Sequence, residues 1–192
     1  MAVDMQLMAS DLAAALDPVR FAERAGITPD PWQARMLRSA RRQIIVNNSR
    51  QSGKSTTTAV KAAHTAVYRA KSLVLILAPS ERQAKELLRK VKDIISGLED
   101  AIEPADSATV LQLEFANGSR IIALPGKEAT IRGFSGVTLL IVDEASRVPD
   151  ELYQAVRPML AVSGGSIVLL STPFGRRGFF FQEWENGGDR WE

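Results

Sequence analysis

With 192 residues and 45% hydrophobic content, the chain is long enough to bury one substantial core, and a single domain is the expectation. It has no cysteine and one histidine, His64, which excludes a disulfide framework, a thiolate metal site and a histidine cluster. The net charge of +2, from 24 basic against 22 acidic residues, announces no nucleic-acid partner. No apolar run reaches the roughly 18 residues of a membrane span, so no membrane association is expected and a cytosolic compartment fits best.

Residues 1–42 read as an N-terminal region of two helices broken by GITPDP (26–31). The next stretch, QIIVNN (43–48), is a short apolar strand, followed by a helix from Gly53 to about Ala70. SLVLILAP (72–79) is apolar at consecutive positions, as a strand buried on both faces should be. After Pro79, Ser80 can cap a helix whose buried stripe is Ala84, Leu87, Leu88, Val91, Ile94 and Ile95, ending at Gly97. In TVLQLEFANGSRIIALPG (109–126), two alternating runs flank Asn117-Gly118, which predicts an antiparallel hairpin inserted between parallel strands. TLLIVDEA (138–145) and SIVLLST (166–172) are again continuous apolar strands with polar residues at their C-terminal ends, where open α/β sheets bind ligands. The core is expected to span 43–175, with FFFQEW lying in a C-terminal helical stretch, 176–192.

NNSRQSGKST (47–56) carries the last three residues of G-x-x-x-x-G-K-[ST], a phosphate loop in which backbone N–H groups cradle phosphates, lysine reaches the β- and γ-phosphates and the hydroxyl binds Mg²⁺. Gly53, Lys54 and Ser55 fill those positions; Asn48 stands where the first glycine should be, and asparagine enters the left-handed region more readily than most residues. The nucleotide-binding stretch is therefore Asn48, Ser49, Arg50, Gln51, Ser52, Gly53, Lys54, Ser55 and Thr56. Arg50 projects from the loop, where its guanidinium could meet γ-phosphate oxygens. The bland alternatives are a GKS tripeptide capping an ordinary helix and a solvent-facing Arg50.

A phosphate loop needs a carboxylate at the end of another strand to hold the metal, and LLIVDEA supplies Asp143; Glu144 can then polarise the attacking water. The same two acids could instead cap a helix. This class of sheet places SIVLLST between the two motif strands, so that Ser171 and Thr172 lie next to the γ-phosphate and can report its presence, although Ser-Thr at a strand end is also an ordinary turn.

Taken in order, these segments resemble the N-terminal ATPase domain of the large terminase subunit, the DNA-packaging motor of tailed bacteriophages. DPWQARML (30–37) resembles the adenine-side motif, SRQSGKST the arginine-bearing phosphate loop, and LAPSERQAKE the segment after the second strand; IRGFSG (131–136) precedes LLIVDEAS, and STPFGRRGFFFQEW resembles the coupling motif. The resemblance implies an α/β fold of the RecA-like (ASCE) P-loop NTPase class, a mainly parallel sheet flanked by helices. It implies that Gln33 reads the adenine edge beside Trp32, that Lys54, Ser55 and Asp143 bind Mg-ATP, and that Glu144 is the catalytic carboxylate. Arg132 is then the arginine finger offered to a neighbouring subunit, with Arg50 its competitor in cis. The implied partners are double-stranded DNA, a homo-oligomeric ring on a portal, and the small terminase subunit, in the cytoplasm of the infected host. Family members continue into a nuclease domain that this sequence does not reach, so a domain cut from a longer protein, without DNA cleavage, is expected.

DNA would be gripped through phosphates. Arg82, Lys85, Arg89 and Lys92 on one helix face, or Arg35, Arg38, Arg41 and Arg42, are candidates; both are also ordinary solvated faces. Two rival functions stand beside the motor: a superfamily 2 helicase-like translocase, whose coupling triplet reads differently from STPFG, and a nucleotide-binding scaffold without turnover, against which Glu144 argues.

Overall fold

The computed structural model describes residues 5–98, 111–125 and 133–192. Strands Gln43–Asn47 (β1), Leu73–Ala78 (β2), Gln112–Glu114 (β3), Arg120–Pro125 (β4), Val137–Val142 (β5) and Ser166–Ser171 (β6) form one sheet in the order β1-β6-β5-β2-β4-β3. Every neighbouring pair is parallel except β3 with β4. The sheet is thus mixed and mostly parallel, and helices cover both faces.

All six residues of β2 are buried. Because successive side chains point to opposite faces, Val74, Ile76 and Ala78 enter one core while Leu73, Leu75 and Leu77 enter the other. The first core is roofed by the helices Lys54–Tyr68 (α4) and Glu81–Ser96 (α5), the second by Asp150–Ser163 (α6) and Gly178–Asn186 (α7). A strand flanked in this way cannot alternate polar and apolar residues, which explains the continuous apolar runs. The expected stripe on α5 is buried residue for residue, and Ser80 caps the helix by accepting from the Gln83 N–H at 3.3 Å.

Among the described residues, the N-terminal region holds three helices where two were expected: Met5–Leu16 (α1), Pro18–Arg24 (α2) and Pro31–Arg38 (α3). The extra break has a local cause. Proline at the first position of α2 has no N–H to extend α1, and the Asp17 carboxylate accepts from the Val19 N–H at 2.9 Å, starting a new helix. The hairpin forms at Asn117-Gly118, with Gly118 at φ +80°, and the Asn117 amide donates to the Ala66 and Val67 carbonyls, tying the turn to α4. β4 also pairs with β2, so the hairpin is the edge of the central sheet itself.

The other edge strand, β1, is met by residues that follow α7. A 3-10 turn at Gly188–Arg190 brings Glu192 alongside β1, where its N–H donates to the Gln43 carbonyl at 3.1 Å and its own carbonyl accepts from Ile45 N–H at 2.8 Å.

Candidate nucleotide-binding site

β1, β6 and β5 lie side by side, so the phosphate loop, Ser171-Thr172 and Asp143-Glu144 all emerge at the same edge. Beside the loop and Glu144 lies a cleft of about 540 Å³ whose walls include Arg50, Lys54, Ser55, Gln83, Lys90, Glu144 and Arg147.

The loop is shaped by two left-handed residues, Gln51 (φ 59°) and Gly53 (φ 82°). Asn48 is not one of them, which corrects the role expected for it as a stand-in for glycine. Its N–H donates to the Ser171 carbonyl at 3.0 Å, continuing the β1–β6 ladder, and its side-chain oxygen accepts from the Ser49 N–H at 2.8 Å. A residue held by the ladder keeps an extended-side φ, so the reversal falls three positions later. Ser52 Oγ donates to the Ser49 carbonyl at 2.9 Å and closes the turn.

Gly53 is constrained twice. Besides its φ, a Cβ there would lie 2.3 Å from Nε2 of Gln33. Gln33 donates from that nitrogen to the Ser52 carbonyl at 3.1 Å, and its Oε1 accepts from the Asp30 N–H at 2.9 Å, forming the capping box of α3. Gln33, the residue expected to read a base edge, buttresses the loop in this structure.

Lys54 is buried and folds back into the loop, its ammonium donating to the carbonyls of Asn48 at 3.1 Å and Ser49 at 2.5 Å. Ser55 and Thr56, half-buried in the first turn of α4, follow it; Ser55 faces the cleft. Arg50 stands exposed at the cleft wall.

Asp143 is buried at the end of β5, and that burial, reinforced by the Glu144 carboxylate and opposed by Lys54, pushes its pKa up to about 6. Glu144 adopts φ 48° and ψ 45°, which turns its side chain off the strand direction and into the cleft. Its Oε2 accepts from Thr172 Oγ1 at 2.9 Å. Ser171 is fully buried and faces Ser146 instead, the hydroxyls 2.5 Å apart and the Ser146 N–H donating to Ser171 Oγ at 3.1 Å. The two expected coupling residues thus divide their contacts: Thr172 holds Glu144, and Ser171 holds the turn after it.

Trp32 packs partly against the first core and lines a neighbouring cavity of about 180 Å³ beside β1, together with Asn47, Asn48 and Trp184. Arg132 lies outside the described residues, as does the first part of IRGFSG. The basic faces are partly neutralised: Lys85 pairs with Glu81 and Arg89 with Glu86, each at 2.6 Å, and Arg38 pairs with Asp17 at 2.7 Å.

This arrangement of loop, acidic pair and intervening Ser-Thr strand can be set against known proteins. The family model described as terminase large subunit, T4likevirus-type, N-terminal, matches residues 45–192. The chain belongs to the terminase large-subunit family. The terminase large subunit of Thermus virus P23-45 is 29% identical over 190 residues, covering 88% of this chain and 39% of that protein. The chain therefore spans about two-fifths of the length of the curated terminases it matches. Among solved structures, the large terminase ATPase domain of Thermus phage P74-26 superposes with a TM-score of 0.75 at 24% identity, over 85% of this chain and 72% of that one. A DEAD box protein from Methanococcus jannaschii superposes at 0.61 with 16% identity, over 92% and 52%. The helicase fold is thus shared, while the family match favours the terminase over the helicase reading.

Several contributors to the site were not among the residues expected from the motifs. Pro79, Gln83, Lys90 and Arg147 line the main cleft, and Asn47 and Trp184 line the neighbouring cavity. Asn47 Oδ1 is buried without a hydrogen-bond partner. Arg147 follows DEAS by one residue and could have been found as a cation next to an acidic pair; Trp184, 137 positions after Asn47 by subtraction of their numbers, left no local signal.

Proposed function

We propose that this chain hydrolyses ATP and supplies the motor part of a terminase large subunit, driving double-stranded DNA into a viral procapsid. The observation that carries the reading is the convergence of Lys54 and Glu144 on one cleft at the C-terminal edge of adjacent parallel strands, with Thr172 hydrogen-bonded to Glu144 from behind. Loop N–H groups and the start of α4 suit phosphate oxygens. Lys54, now satisfied by two loop carbonyls, is placed to exchange them for β- and γ-phosphate oxygens.

Ser55 and Asp143 offer hard oxygen donors of the kind Mg²⁺ takes, and a cation beside Asp143 would offset the burial that raises its pKa. When bound with ATP, Mg²⁺ neutralises charge on the β- and γ-phosphates. Glu144 orients a water for in-line attack and accepts its proton, while Thr172 fixes the accepting carboxylate. Gln33, and Trp32 beside it, would meet the base. Arg132 from a neighbouring subunit, or Arg50 in cis, would stabilise charge on the transferred phosphoryl group. A homo-oligomeric ring on a portal, the small terminase subunit and the host cytoplasm complete the reading; DNA cleavage is not assigned to residues 1–192.

The test is to mix Arg132→Ala with Glu144→Ala subunits and measure ATP turnover with duplex DNA present. Restored activity supports a ring with the finger in trans, and absence of rescue together with an inactive Arg50→Ala supports Arg50 in cis. A wild-type chain that turns over no ATP at any protein concentration contradicts the motor reading.

A further inference from the structure

Arg147 touches both the catalytic carboxylate and the loop that follows β6. It ends the 3-10 turn Ala145–Arg147, which is fixed from below: Ser146 bonds to Ser171 and to the Thr172 carbonyl, and the Arg147 N–H donates to the Glu144 carbonyl at 2.8 Å. From this anchored backbone the side chain reaches in two directions. Its Nε lies 4.0 Å from Glu144 Oε2, the same oxygen that Thr172 holds, and its guanidinium sits 4.1 Å from the centre of the Phe174 ring.

Phe174 belongs to the link between β6 and α7, residues 173–177, which is exposed apart from Phe174 itself. The ring is also met by Arg177 at 4.6 Å, so two cations converge on one half-buried aromatic. Both ends of this link are rigid. Thr172 is buried at the sheet end, and on the α7 side the Phe179 N–H donates to Asp150 Oδ1 at 2.7 Å while the Phe179 ring stacks on Tyr153 at 4.1 Å. Glu183 adds a second tie, accepting from the Tyr153 hydroxyl at 3.0 Å. Any response to nucleotide in this region must therefore occur in the link itself.

We propose that Arg147 is a positioning residue that couples the Glu144 carboxylate to Phe174: a triphosphate entering the cleft draws the guanidinium off the ring and against Glu144 and the phosphates, releasing the link. The driving force is electrostatic, since Arg147 already lines the cleft with Lys54 and a cation over a half-buried ring is held more weakly than one beside phosphate. This inference rests on Glu144 being the water-orienting carboxylate of an ATP cleft.

The test compares wild type with Arg147→Ala, Arg147→Lys and Phe174→Leu, reading kcat and KM for ATP and the hydrogen exchange of amides 174–177 with and without a non-hydrolysable ATP analogue. In wild type the analogue speeds exchange of those amides. In Arg147→Ala exchange is fast and indifferent to the analogue, kcat falls by about tenfold, and KM rises by less than kcat falls as the phosphate contact is lost. Lysine restores part of kcat, and Phe174→Leu abolishes the exchange response while KM stays. A tenfold rise in KM with kcat unchanged, or an exchange response surviving in Arg147→Ala, overturns the proposal. Failure of the underlying reading is distinct: it appears as undiminished turnover in Glu144→Gln, whatever Arg147 does.

Discussion

The hydroxyl of Thr172 donates to Oε2 of Glu144 across 2.9 Å, joining the end of β6 to the acidic pair on β5. A hydrogen bond to a charged group contributes about 1.5–3 kcal/mol. Here it restrains a carboxylate whose backbone already sits in the left-handed region. Thr172→Val keeps the shape and deletes the donor. The expected result is a fall in kcat of about 10-fold or more with little change in KM, and recovery in Thr172→Ser, measured by steady-state ATP turnover.

Gly53 makes the sharpest backbone prediction. Gly53→Ala meets both a φ of +82° and a Cβ position 2.3 Å from Gln33 Nε2, so the alanine must displace the glutamine as well as accept a strained backbone. The strain costs about 1–2 kcal/mol, and loss of the Gln33–Ser52 bond loosens the loop. Chemical denaturation should register the first effect, and ADP titration calorimetry should show affinity reduced by about tenfold or more through the second. Adding Gln33→Ala removes the clash but not the strained φ, so stability should recover only in part.

Much of this frame was legible in the residues, and the exceptions have physical causes. The α5 stripe and the doubly buried strands showed because burial on a fixed face leaves a periodic trace. α6 carries such a trace too, in Leu152, Tyr153, Val156 and Leu160, but Pro158 inside it breaks the usual helix signature. At Asn48 the composition suggested a left-handed turn, whereas its N–H is committed to Ser171 on a strand 123 positions away by residue number, and Gln51 makes the turn instead. Arg147 matters through Phe174, a partner no local pattern names.

His64 gives a pH dependence with a definite sign. It is half-buried between Phe21 and Tyr68, donates from Nε2 to the Ala14 carbonyl at 3.1 Å, and burial lowers its pKa below the ordinary 6.5. As pH falls through 6.5 the unfolded chain takes the proton first, so this residue's contribution to stability is lost between 6.5 and the lower folded value, and no more is lost below that. Asp143 works oppositely: raised to about 6, it binds a proton in the folded state first, adding stability as pH falls from there towards 3.8. Subtracting the unfolding free energies of His64→Gln from those of wild type between pH 7.5 and 5, a range of about 2.5 units chosen around the reference value, cancels Asp143. The difference should move against wild type as pH drops.

Asp17 serves two elements at once, capping α2 through Val19 and accepting from both Nε and Nη2 of Arg38 on α3. The Arg38 bonds hold the Asp17 carboxyl below the usual carboxylate range. Removing a cap costs about 0.5–2 kcal/mol and an exposed ion pair less than about 1. Asp17→Ala should therefore lower Tm more than Arg38→Ala does, with the double variant close to Asp17→Ala, in thermal unfolding followed by circular dichroism.

Glu144 is assigned to act after nucleotide is bound. The most direct measurement pairs ATP affinity with single-turnover hydrolysis in Glu144→Gln and Lys54→Ala. Glu144→Gln should bind ATP within about threefold of wild type yet hydrolyse it at least about 100-fold more slowly, while Lys54→Ala loses affinity as well. Hydrolysis by Glu144→Gln at the wild-type rate would contradict the assignment.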